Sequence, residues 1–210
     1  MAYVLGFWFA DGYMRKDRSY RIVFTSADKD ILFQIRKVML SSHPIRKRKE
    51  PKGGSYTYTL NLCSKHLYTQ LIRLGGFRRK SRIMKFPNVL HDYLSDFIRG
   101  YFDGDGSVFF VKYVRTKDKR ITKELRTNFT SGSRKFLEQL MKILHTEINL
   151  PIKKLGMFNN GHSLKLGYGM KDSDALLRYM YYDNFSIGLR RKSIFVFKIP
   201  IYQKHNMLGY

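Results

Sequence analysis

Cysteine is nearly missing from this 210-residue chain: Cys63 is the only one, which excludes a disulfide framework and a cysteine-rich zinc centre. Acid is scarce as well. Sixteen Asp and Glu stand against 40 Lys and Arg, leaving a formal charge of +24. Nothing resembles a secretory leader, and no apolar run reaches the length a membrane span needs, so an intracellular location is expected, in cytoplasm, nucleoid or organelle matrix. The six histidines show no metal-ligand spacing, and no segment is of low complexity. What is abundant is basic charge and apolar bulk. The charge calls for a polyanionic partner. Its spread through apparent strands and turns, away from any single amphipathic helix, favours nucleic acid over a membrane surface. With 43% hydrophobic and 15% aromatic residues the chain can bury a real core, either as one large domain or as two of about 100 residues each. The aromatics fall mostly on expected buried faces and read as core, not as a stacking platform for single strands.

The chain repeats itself. Val4-Leu-Gly-Phe-Trp-Phe-Ala-Asp-Gly12 returns as Ile98-Arg-Gly-Tyr-Phe-Asp-Gly-Asp-Gly106, which makes Asp11 and Asp105 equivalent. Phe24-Thr-Ser26 returns as Phe129-Thr-Ser131, each before a helical stretch (28–40 and 133–144). The alternating Tyr56–Leu62 matches Ser163–Tyr168, with Lys65 and Lys171 just beyond. Gly76-Phe-Arg-Arg-Lys-Ser81 matches Gly188-Leu-Arg-Arg-Lys-Ser193. Ser26 to Lys65 spans 39 residues and Ser131 to Lys171 spans 40. The second copy is 11 residues longer between Asp105 and Ser131, an excess that falls in the basic stretch 113–123 and predicts a longer hairpin. Four markers in one order establish a duplication. Each copy reads as helix, hairpin, helix, hairpin, helix. Turns are expected at 17–19, 52–54 and 159–161, and a linker at 87–92.

Gly6 and Ala10 lie four apart on one helix face, as do Gly100 and Gly104, and small residues at that spacing let two helix backbones approach closely. Gly12 and Gly106 suit a C′ position of positive φ that stops each helix after its aspartate. Helices packed on those faces would deliver Asp11 and Asp105 side by side. A carboxylate at a helix C-terminus opposes the dipole, and two together need a divalent cation or raised pKa values.

Both segments resemble the LAGLIDADG motif, 97–107 most strongly, and the order of later elements resembles that family of homing endonucleases along nearly the whole chain. The resemblance implies an α+β fold of two pseudo-symmetric αββαββα halves, 1–92 and 93–210, with antiparallel saddle sheets and a central two-helix interface. It implies a monomer that binds double-stranded DNA and cuts both strands of a long, asymmetric site with Mg²⁺, for which Mn²⁺ or Ca²⁺ can substitute in binding. Carried onto this sequence, Asp11 and Asp105 bind metal, helped by the carbonyls of Ala10 and Gly104. Lys65 and Lys171 match the family's active-site basic residue, and Ser26 and Ser131 stand where a glutamine is common. Asp103 fills an earlier acidic position that the first copy gives to Phe9. A DNA-binding regulator or an RNA maturase without cleavage is the alternative.

Strand alternation nominates the DNA contacts. In the first half these are Arg15, Arg18, Arg21, Thr25, Ser26, Thr57, Thr59 and Asn61, with Arg46, Lys47, Arg48 and Lys49 as a phosphate clamp. In the second half they are Lys112, Arg115, Arg126, Asn128, Ser131, Lys153, Lys165, Arg190 and Lys192.

Overall fold

A computed structural model describes residues 1–15, 19–50, 54–76, 82–114, 119–158 and 160–196. The first half runs α1 (Ala2–Asp11), β1 (Gly12–Arg15), β2 (Arg21–Ser26), α2 (Lys29–Val38), β3 (Ile45–Lys49), β4 (Tyr56–Cys63) and α3 (Lys65–Arg73). The second repeats it: α4 (Leu94–Asp105), β5 (Gly106–Val114), β6 (Ile121–Ser131), α5 (Arg134–Ile148), β7 (Gly156–Phe158), β8 (Ser163–Tyr168) and α6 (Met170–Met180). Residues 190–196 are helical. Each half holds one antiparallel sheet, in orders β1-β2-β4-β3 and β5-β6-β8-β7. The 11 extra residues lengthen the β5–β6 hairpin, whose nine paired rungs replace the four of β1–β2. No helix among the described residues is long and apolar enough to cross a membrane.

Local chemistry sets these elements. Ser64 and Ser133 cap α3 and α5, their hydroxyls accepting the amides of Leu67 and Phe136. Asn149 ends α5 in the left-handed region. The outer helix α2 is amphipathic and buries Ile31, Leu32 and Ile35 on its sheet. Helix α1 is different, because Tyr3, Val4, Phe7, Trp8 and Phe9 cover it all round and all are buried. Such a helix belongs at the centre. It crosses α4 there, and one continuous core runs through both sheets.

Glycine makes that crossing possible. A methyl added at Gly6 would lie 2.0 Å from the carbonyl oxygen of Phe97, and one at Gly100 would lie 2.1 Å from that of Tyr3. Gly12 and Gly106 correct the sequence reading. Their φ values are −96° and −97°, so each helix passes directly into extended strand without a left-handed residue. Glycine is needed there for room: a methyl would strike the Trp8 ring and the Phe102 ring, each at 2.2 Å.

The halves also clasp each other beyond the helix pair. Gln34 of α2 accepts the Gly188 amide at 3.2 Å, and Gln139 of α5 accepts the Phe86 amide at 2.9 Å. Met84 is buried and its carbonyl accepts the Ser133 hydroxyl, so the chain packs on the second half before the expected linker at 87–92.

Candidate functional site

Helices α1 and α4 end side by side. A methyl at Gly104 would lie 2.4 Å from the Ala10 Cβ and 3.3 Å from the Asp11 carboxylate, which sets that carboxylate against the residue before Asp105. Both acids act on the same groups: each helps hold the buried Tyr101 hydroxyl protonated, behind the dominant effect of burial. Tyr101 donates to the Thr130 carbonyl at 2.8 Å, and the Thr130 hydroxyl donates to the Asp105 carbonyl at 2.7 Å. The end of α4 is thereby tied to β6.

Lys192 closes this end from beneath. It is 2% exposed, and its ammonium donates to the carbonyls of Phe102, Asp103 and Gly106 at 2.5, 3.0 and 2.6 Å. These carbonyls line the last turn of α4 and the start of β5, where the Phe102 carbonyl also accepts the Gly106 amide. Burial pushes the Lys192 ammonium down to about 8, while Asp103, Asp11 and Asp105 pull it upward. The expected DNA contact at Lys192 is therefore corrected: the side chain is buried against the carbonyls at the end of α4. Asp103 is equally enclosed. It accepts Tyr3 and Tyr181 hydroxyls at 2.7 and 2.5 Å and the Leu189 amide at 2.8 Å. Burial raises its pKa against the pull of those bonds. It is a structural acid, and Phe9 fills the equivalent place in α1.

Lys65 and Lys171 are exposed first-turn residues of α3 and α6. Gly12 shares its rung with Phe24 and Leu60, and Gly106 shares its rung with Phe129 and Leu166. Lys65 and Lys171 each lie five residues past that rung, which at about 3.3 Å per strand residue puts them upwards of ~10 Å from the acid end. Their backbone positions therefore lie farther along each sheet than the rung beside Asp11 and Asp105.

The pleat sorts the other nominees. Arg15, Arg21, Thr25, Thr57, Thr59 and Asn61 share the open face of the first sheet. Arg46 and Arg48 join them, whereas Lys47 and Lys49 pair with Tyr58 and Tyr56 and lie on the reverse, where Lys47 sits 3.6 Å from the Tyr56 ring centre. The four-residue clamp is thus split between two faces. In the second sheet Arg126, Asn128 and Lys165 are on the open face, and Lys112 is on the reverse. Ser26 and Ser131 are buried with the helix-side residues, their hydroxyls accepting the amides of Asp28 and Ser133. They shape the entry to α2 and α5. Lys153 is bound to Asp172 at 2.9 Å. Arg190 is exposed at the start of the 190–196 helix. Arg18, Arg115 and the segment 77–81 lie outside the described residues. Ser107, Phe109, Val111 and Tyr113 on the open face of β5 were not foreseen. Strand 108–114 is apolar at six of its seven positions, so alternation gives it no face.

Among the described residues no three His, Cys, Asp or Glu side chains converge as a metal-binding group. The acid end offers two carboxylates beside helix-terminal carbonyls, an oxygen-only set suited to a hard divalent cation that keeps other positions for water or phosphate.

A family model for a LAGLIDADG-like domain matches residues 1–73 and 92–155. No curated protein matches the sequence. Solved structures do match the fold. I-SmaMI, bound to an uncleaved DNA target with calcium ions, superposes with a TM-score of 0.68 at 14% identity, over 99% of this chain and 93% of that one. The I-LtrWI homing endonuclease on its target DNA gives 0.65 at 13% identity, over 99% and 90%. I-AabMI on uncleaved DNA gives 0.60 at 14%, over 98% and 91%. With the motif helices crossed on their glycines and an aspartate closing each one, the chain belongs to the LAGLIDADG family, in the form that carries both halves on a single polypeptide.

Proposed function

We propose that the protein is a site-specific endonuclease that hydrolyses a phosphodiester on each strand of a long, asymmetric DNA duplex with a divalent metal, Mg²⁺ in the cell. The observation that carries the reading is the placing of the Asp11 carboxylate against Gly104, between two open sheet faces on a chain of charge +24. The DNA-bound state of the structural neighbours supports it.

Asp11 and Asp105 would hold the metal with the carbonyls of Ala10 and Gly104. Such an ion, when bound, polarises a phosphoryl oxygen and lowers the pKa of an attacking water. The halves, taken as 1–92 and 93–210, each seat one arm of the duplex, through phosphate contacts and base contacts in the major groove. Lys192, Tyr101 and Thr130 are positioning residues: they fix the last turn of α4 and with it the direction of Asp105. Lys65 and Lys171, far along the sheets, take phosphate contacts in this reading.

Digestion of a randomised duplex library with Mg²⁺ tests the proposal. Wild type is expected to cut one family of sequences, and Asp11→Asn with Asp105→Asn to bind the same sequences uncut. Binding without cutting by the wild type would instead identify a regulator, and selective binding of structured RNA a maturase.

A further inference from the structure

The two open faces occupy equivalent positions but carry different chemistry. The rungs fix the equivalence. Arg15 corresponds to Phe109, since Gly12 and Gly106 each start the first strand. Arg46 and Arg48 oppose Thr59 and Thr57, while Gly156 and Phe158 oppose Lys165 and Ser163. Three arginines of the first face are therefore replaced by phenylalanine, glycine and phenylalanine in the second. Arg21 and Arg126 are equivalent, and Arg126 is paired with Glu124 at 3.1 Å. The second face also extends outward with Val111 and Tyr113. Phe109, Tyr113 and Phe158 are 38%, 43% and 50% exposed on this face, where the first face exposes Tyr13 at 42%.

In the major groove a guanidinium donates twice to guanine O6 and N7, whereas a phenyl ring has one favourable partner, the C5-methyl of thymine. Building on the nuclease reading, we propose that the two halves read arms of opposite composition. The first half selects guanines through Arg15, Arg46 and Arg48. The second selects a thymine-rich arm through Phe109 and Phe158.

The test begins by selecting bound duplexes from a random library in Ca²⁺. An iron chelate tethered at Cys63, which is exposed and lies on the open side of β4, cuts the DNA backbone locally and marks the arm held by the first half. Thymines in each arm are then replaced by deoxyuracil, which removes only the methyl. Replacement in the second-half arm should weaken binding about threefold for each contacted thymine, and in the first-half arm less than twofold. Phe109→Ser with Phe158→Ser should abolish that sensitivity while far-UV circular dichroism stays unchanged. A selected duplex whose second arm is indifferent to deoxyuracil, or whose arms have equal composition, overturns the assignment and leaves the nuclease reading standing. Failure to enrich any duplex overturns both.

Discussion

At the scale of single residues, burial decides what each charged side chain can do. Asp103 and Asp105 are two positions apart on α4, yet one is sealed among hydroxyls and the other stands at the open helix end. Asp103→Ala would leave Tyr3, Tyr181 and the Leu189 amide without their acceptor and remove the carboxylate that acts most strongly on Lys192. A loss of about 3 kcal/mol or more is expected from denaturant unfolding. Lys192 gives a pH signature. The unfolded chain keeps that proton to the ordinary value of 10.5, whereas the native state releases it around 8. Between those values the unfolded state binds more protons, so Lys192 adds native stability as pH rises, by at most about 1.4 kcal/mol per unit. The stability difference between wild type and Lys192→Met should therefore shift in favour of wild type from pH 8 to 10. A constant difference would show that the native state keeps its proton. The sequence showed Lys192 only as one charge in a repeated basic run. Its role depends on carbonyls 86 to 90 residues away, a contact that no local pattern encodes.

At the scale of elements, the crossing of α1 and α4 sets the spacing of everything else. Gly6→Ala would drive a methyl into the Phe97 carbonyl, and because that atom is backbone the helices must separate. A loss of about 3 kcal/mol and a melting temperature lower by roughly 5–10 °C are expected. Gly156→Ala, with its nearest neighbour 3.9 Å away, should stay within about 0.5 kcal/mol of wild type. On the sheets the pleat predicts a sharper contrast. Arg48→Ala, on the open face, should weaken duplex binding about tenfold, and Lys47→Ala, on the reverse, less than threefold. Equal losses measured by titration would show that β3 meets DNA along its edge. The repeated order of elements and the small-residue faces were readable in the sequence because duplication and helical spacing are local regularities. Two details were not. The glycines ending α1 and α4 answer to the Trp8 and Phe102 rings instead of to φ, and the serines at 26 and 131 turn inward to start the next helix.

At the scale of the whole molecule, two unequal sheets share one pair of carboxylates. In the proposed reading the internal symmetry gives each strand of a duplex its own acid, and the divergence of the faces removes any need for a palindrome. A charge of +24 makes duplex binding strongly salt-dependent through counterion release, so affinities are to be compared at one ionic strength. The most direct test of the account is a crystal of the duplex complex grown with Mn²⁺, measured at the manganese edge. Anomalous density is predicted in contact with the carboxylates of both Asp11 and Asp105 and beside a backbone phosphate, and its loss is predicted in Asp11→Asn with Asp105→Asn. Manganese bound elsewhere while both carboxylates turn away from the DNA would contradict the account.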